Sequence, residues 1–388
     1  MTAAGIYIHI PFCRSKCGYC HFLSFPFDGG DEADAGAGER YADALLREMR
    51  LFAAARRGEP LLVDSIYLGG GTPSLVPARW IADLLDGCRR LFVLAGDCET
   101  TLEANPGTVS SDKAAAYRQA GVNRVSLGAQ SFSDAELRAV GRIHDVAAVA
   151  EAMDALGRRG GGAGFEDVSL DLMLGLPGQT AGSWRETLAR ATDLPVRHLS
   201  VYMLDLDDDS PLRAPQAGGA PTLPDDDLVA DLYAETVGDL AARGFAQYEI
   251  SNFAKGGRSS RHNLKYWRRE PVYGFGLGSH SFDGRRRYAN VCDFGEYFRR
   301  VEAGRSPVAW SDEVTGRRAA EELFFLGLRL AEGVRLRGIP EAAESLLEER
   351  RAALEDFCDA GLLDWTGERL RLTRRGMLLS NEVLQLFV

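Results

Sequence analysis

No stretch of this 388-residue chain reaches the roughly 18 consecutive apolar residues that a membrane-spanning helix needs. The N-terminus also lacks a basic segment followed by an apolar run and a small-residue cleavage site, and goes straight into Ile6-Tyr7-Ile8-His9-Ile10. A cytoplasmic protein with reduced thiols is therefore expected. A basic excess is missing too. The 45 Lys and Arg are outnumbered by 56 Asp and Glu, giving a net charge of −11, which argues against a nucleic-acid partner. The run Arg285-Arg286-Arg287 is one local candidate for a basic patch, and a solvated turn is its plainer reading. Cysteine is scarce. Three of the seven cluster within eight residues, and Cys88, Cys98, Cys292 and Cys358 are scattered like small apolar fillers, so no disulfide framework is expected.

What is present is a rhythm of apolar strand, loop and amphipathic helix through the first three-quarters of the chain. Strands are expected at Ile6–Ile10, Val63–Leu68, Thr100–Glu103, Arg124–Leu127, Asp167–Leu172 and His198–Met203, with another near Gln247–Ser251. Helical periodicity covers Arg40–Ala55, Ala78–Leu91, Ser111–Gln119, Ser183–Thr192 and Asp225–Ala242. The alternation implies an α/β fold with a mainly parallel sheet, doubly wound or closing toward a barrel. Asp28–Gly38 reads as a flexible loop, and the proline-rich Asp205–Pro224 as an irregular excursion. Beyond about residue 315 the pattern changes to helices Arg317–Leu330 and Pro340–Asp359. A hairpin pairing Leu363–Trp365 with Leu370–Leu372 and a last helix, Arg374–Leu386, follow. The expected division is a barrel with accessory region over 1–310 and a small winged-helix-like α+β domain over 311–388.

Cys13-Arg-Ser-Lys-Cys17-Gly-Tyr-Cys20 directly follows the first strand. Thiolates suit zinc or iron–sulfur clusters. Structural zinc takes four ligands, so a zinc site would need help from His9 or His21. Three packed core thiols are the bland reading, which the polar Arg14-Ser-Lys16 disfavours. On a four-iron cubane, three thiolates leave one iron open for a ligand.

The CxxxCxxC pattern, with aromatic Tyr19 before the last cysteine, resembles the radical-SAM superfamily. That resemblance implies a partial (βα)6-type barrel and a 4Fe-4S cluster on Cys13, Cys17 and Cys20, with S-adenosylmethionine on the open iron. Ligands of parallel β/α folds gather at strand carboxyl ends. Gly69-Gly70-Gly71-Thr72-Pro73 stands at one such end and lacks the Gly-Lys-Ser/Thr of a P-loop. The resemblance assigns S-adenosylmethionine contacts to Tyr7, Phe22, Gly70, Gly71, Thr72, Glu103, Gln130, Arg142 and Asp171, with Arg142 suited to a carboxylate.

Further motifs are similar to the HemN/HemW group: Tyr7-Ile-His9-Ile-Pro11-Phe12-Cys13, Glu103-Ala-Asn-Pro-Gly, Asp171-Leu-Met-Leu-Gly-Leu-Pro-Gly178 and Tyr248-Glu-Ile-Ser-Asn252. Coproporphyrinogen dehydrogenases of this group carry a cysteine two positions after the third ligand, where this chain has Phe22. His262-Asn-Leu-Lys-Tyr266-Trp267 instead matches the motif of the group's heme chaperones. The resemblance therefore implies heme binding by His262, Tyr266 and Trp267 and transfer to an acceptor protein. Cluster and S-adenosylmethionine would then serve control rather than turnover. His280 is the rival iron ligand. An electron donor and a homodimer are the other expected partners. Coproporphyrinogen dehydrogenation and simple iron–sulfur carriage are the competing functions.

Overall fold

The structure is a computed structural model describing residues 2–28, 32–157, 162–206, 210, 212 and 222–388. Its centre is a series of parallel strands: β1 (Ala4–Ile10), β2 (Leu62–Gly70), β3 (Val93–Ala104), β4 (Arg124–Gln130), β5 (Asp167–Leu174) and β6 (His198–Met203). β1 and β4 are buried nearly throughout, as expected of strands covered on both faces. The later strands are β7 (Phe245–Gln247), β8 (Asn252–Lys255), β9 (Val272–Phe275), β10 (His280–Phe282), β11 (Arg286–Asn290) and β12 (Val308–Glu313). Together they form one mixed twelve-stranded sheet of order β12-β11-β10-β9-β1-β2-β3-β4-β5-β6-β8-β7. β9 joins β1 in parallel, whereas the outer strands on both sides run antiparallel.

The parallel strands are linked through helices, and in some of them the sequence marks the termini. α2 (Ala78–Leu91) buries Trp80, Ile81, Leu84, Leu85 and Cys88, one face at the 3.6 period. α3 (Ser111–Ala120) starts on Ser110, whose hydroxyl accepts from the Lys113 N–H. It ends on Gly121 at φ 101°, the left-handed conformation that glycine tolerates.

The structure corrects several expected boundaries. The first helix, α1, spans Glu32–Ala55 rather than starting at Arg40, so it takes in most of the segment read as a loop. Gly38 in its early turns lies so close to the Trp80 ring that a Cβ would collide with it, which explains a glycine inside a helix. The strand expected at Gln247–Ser251 is instead the turn between β7 and β8. Glu249 forms this turn by accepting bonds from the Ser251 N–H and the Asn252 side chain. Most of the Asp205–Pro224 excursion lies outside the described residues. Arg285, Arg286 and Arg287 pair with Glu313, Asp283 and Glu322, so the triplet's charge is matched locally.

At the C-terminus, helices Gly316–Gly327, Glu341–Glu349 and Arg351–Asp359 precede a hairpin with the expected register, Leu363 opposite Leu372 and Trp365 opposite Leu370. Val334–Arg335 adds an unanticipated third strand. The long helix expected at 340–359 breaks at Arg350, and the last one breaks at Leu379. This region has its own hydrophobic cluster around Phe324, Leu346, Leu354, Leu370 and Val383. A backbone seam joins it to the turn between β7 and β8 of the large sheet: Ile250 N–H donates to Arg329 O, and Ala331 N–H to Tyr248 O.

Candidate cofactor cavity

A cavity of about 380 Å³ opens at the carboxyl ends of the parallel strands. The three thiols of the loop after β1 line one wall, and the end of β2 supplies Gly70, Gly71 and Thr72. A Cβ on Gly71 would fall 2.7 Å from the Phe12 backbone, so only glycine lets this turn lie against the cysteine loop. Glu103, Gln130, Arg142, Asp171 and Phe22 complete the expected set. Tyr7 stands outside the lining: its hydroxyl donates to His9 Nδ1 (3.0 Å), and His9 Nε2 donates to the Leu23 carbonyl (2.9 Å).

The polar groups are held from behind. Glu103 accepts from the Tyr67 hydroxyl (2.8 Å) and the Gly70 N–H (3.1 Å). Burial raises its pKa to about 7, and the nearby Asp171 pushes the same way. Asp171 accepts from the Ser126 hydroxyl at 3.1 and 3.2 Å, and burial raises its pKa too. Gln130 sits at φ 65°, a left-handed conformation that a non-glycine residue adopts only under constraint. Arg142 donates to Asn105 Oδ1 (2.7 Å) and the Gly128 carbonyl (2.8 Å), and approaches Cys17 Sγ at 3.6 Å. Thr72 Oγ1 lies 3.4 Å from Cys13 Sγ and accepts from Asn105 Nδ2 (2.8 Å). Asn105, Ser126 and Tyr202 are cavity residues that sequence reasoning missed. For Asn105 and Tyr202 the signal was a polar or aromatic residue at the end of a strand, whereas Ser126 lies within β4.

The donor set fits a polynuclear cluster. Among the described residues, no three His, Cys, Asp or Glu side chains converge on a position for one metal ion. Cys13, Cys17 and Cys20 line one cavity from a single loop, and three such thiolates suit a cubane, in which each takes its own iron.

The His262–Trp267 motif lies elsewhere. It forms helix α8 (Arg261–Trp267), which packs against the amino ends of the strands. His262 is 1% exposed. Its Nδ1 meets Ser65 Oγ (3.0 Å), its Nε2 meets Tyr266 Oη (3.2 Å), and its ring stacks on Tyr67 at 5.1 Å. Burial lowers its pKa to about 3, with Lys265 and Arg124 adding to the effect. A Cβ on Gly5 would collide with this imidazole, so β1 makes room for it. The Trp267 ring carries Arg329 at 5.5 Å. The structure thus brings the cluster candidates and all the S-adenosylmethionine candidates but Tyr7 into one cavity, and sets the three heme candidates at the opposite end of the strands. Both His262 nitrogens are engaged, and iron ligation would require the ring to leave one of these bonds. His280 is exposed on β10, 5.9 Å from the Trp310 ring.

Comparison with known proteins gives a consistent result. Residues 7–191 match the Radical SAM superfamily and residues 314–379 the HemN C-terminal domain. The chain is 36% identical over 384 residues to the heme chaperone HemW of Bacillus subtilis, covering 98% of each chain. It is 35% identical over 399 residues to that of Escherichia coli, covering 99% of this chain and 98% of the other. The solved structure of E. coli coproporphyrinogen III oxidase (HemN), described as a radical SAM enzyme, superposes with a TM-score of 0.81 at 22% identity. That match covers 99% of this chain and 90% of the other, and it establishes the shared radical-SAM α/β fold.

Proposed function

Because the chain belongs to the HemW family of the radical-SAM superfamily, we propose that it is a heme chaperone that binds heme and passes it to an acceptor protein. The observation that carries this reading is full-length similarity to heme chaperones combined with a cavity lined by Cys13, Cys17 and Cys20. In this reading the three thiolates hold a 4Fe-4S cluster, whose open iron supplies a chelation point for the amino and carboxylate groups of S-adenosylmethionine. The chain's own residues do the rest. Arg142 sets a positive charge beside Cys17, Glu103 and Asp171 offer carboxylates for hydroxyl and ammonium groups, and Gly70 and Gly71 allow close backbone approach. Phe22, where related dehydrogenases have cysteine, supports a role without coproporphyrinogen turnover. The His262–Trp267 helix stays a heme candidate on family grounds, with His262 buried and Tyr266 exposed at the surface. A cytoplasmic location goes with thiols that must stay reduced.

The test is anaerobic titration of cluster-loaded protein with heme. A saturable Soret band and heme transfer to an apo-acceptor are expected, with no protoporphyrin product from coproporphyrinogen. Failure to bind heme overturns the reading.

A further inference from the structure

Against a net charge of −11, one region of this surface gathers three arginines around one cavity. A second cavity, of about 340 Å³, lies on the outer side of the cysteine loop, between the turn after β3 and the start of helix α5 (Val146–Leu156). Arg14, Arg138 and Arg142 all line it. Among the described residues, no ion pair engages Arg14, Arg138 or Arg142, in contrast with the paired Arg285–Arg287 triplet. Arg142 Nε is buried without a hydrogen-bond partner among those residues, although the other guanidinium nitrogens are bonded. Two carboxylates, Asp134 and Asp145, also reach the wall. Both cap the amino end of α5, where Asp134 Oδ1 accepts from the Val146 N–H (2.8 Å) and Asp145 Oδ1 from the Ala148 N–H (2.9 Å), and the three arginines outnumber these two carboxylates on the wall. Ile143, 61% exposed, adds an apolar lip, and His144 lines the floor with Nε2 on the Ala129 carbonyl (3.2 Å).

We propose that this cavity is a carboxylate-binding subsite for heme, with Arg14 and Arg138 taking the two propionates and Ile143 lying against the edge of the macrocycle. The inference rests on the heme-chaperone reading and adds to it a position beside the cluster loop, distinct from α8. The chemistry is that of paired guanidinium–carboxylate contacts, which favour planar bidentate geometry. A flat dianion with one apolar edge matches two exposed arginines and an isoleucine rim. The cavity holds only the propionate-bearing part of such a ligand, and the remainder projects over the cysteine loop.

Heme and its uncharged dimethyl ester separate the two ideas. Each is titrated into cluster-loaded wild-type protein and into Arg14→Ala/Arg138→Ala, following tryptophan fluorescence and the Soret band. Wild type should prefer the acid by about tenfold, as expected for two partly exposed charge-assisted contacts. The double variant should bind both forms with the ester's affinity and an unchanged Soret position. If the preference persists in the variant, or wild type binds both forms equally, the subsite is overturned while the heme reading stands. If wild type binds neither form, the heme reading falls and the subsite with it. Arg14→Gln/Arg138→Gln guards against a folding defect and should give the same loss.

Discussion

Cys13, Cys17 and Cys20 differ from the other cysteines in lining one cavity together. Burial pushes the Cys88 thiol to about 12 and the Cys98 thiol to about 11, which makes both poor ligands and poor nucleophiles. Cys17→Ser should therefore abolish the brown iron–sulfur absorption after reconstitution, and Cys88→Ser should leave it intact, as read by iron content and visible spectra. Glu103 yields a pH prediction. Its carboxylate forms only as pH rises through about 7, so S-adenosylmethionine binding should tighten between pH 6 and pH 8. Glu103→Gln should bind about tenfold more weakly at pH 8 and lose that slope in equilibrium dialysis. Glu103 and Asp171 could be picked out in the sequence because a carboxylate in an aliphatic strand is conspicuous. Tyr67, which holds Glu103, could not, since a tyrosine in a strand reads equally well as packing.

At the level of elements, α1 shows how burial converts a polar group into a pH-sensitive anchor. Glu48 on this helix accepts from the Gly276 N–H (2.8 Å), the Tyr297 hydroxyl (2.6 Å) and Asn290 Nδ2 (2.6 Å), tying α1 to the strand extension. Burial raises its pKa to about 7. The folded protein then holds a proton that the unfolded chain releases above its ordinary carboxylate pKa. Stability from this group is full below that value and is lost as pH rises toward 7, by about 3 kcal/mol in all. Urea unfolding from pH 4.5 to 8 should show wild type losing this stability as pH rises, while Glu48→Gln, whose amide does not titrate, lacks that loss. The parallel strands were legible from apolar runs with strand-like boundaries. The early turns of α1 were not, because Gly36 and Gly38 imitate a loop unless the Trp80 ring packed on Gly38 is known. The α8 motif was legible as a motif but not in its direction, since His262 has the same spacing facing inward or outward.

For the whole molecule, the seam between barrel and C-terminal region passes through one turn, 248–251, built on Glu249. Glu249→Ala removes acceptors from the Ser251 N–H and the Asn252 side chain, at a cost of about 1–3 kcal/mol. Limited proteolysis should then cut faster between β12 and the helix at Gly316, while the cysteine cavity still assembles a cluster. No local pattern announced this seam, because both halves of its ladder are backbone groups about 80 residues apart in sequence.

The cationic cavity beside the cysteine loop also shapes how a ligand arrives. To a dianion diffusing nearby, a body of charge −11 is repulsive from most directions. One window, framed by Arg14 and Arg138, is attractive. Encounters are thereby filtered by orientation before any contact forms, and added salt flattens both the barrier and the window. Capture of an anionic cargo should become less selective in angle as ionic strength rises, even where its overall frequency changes little.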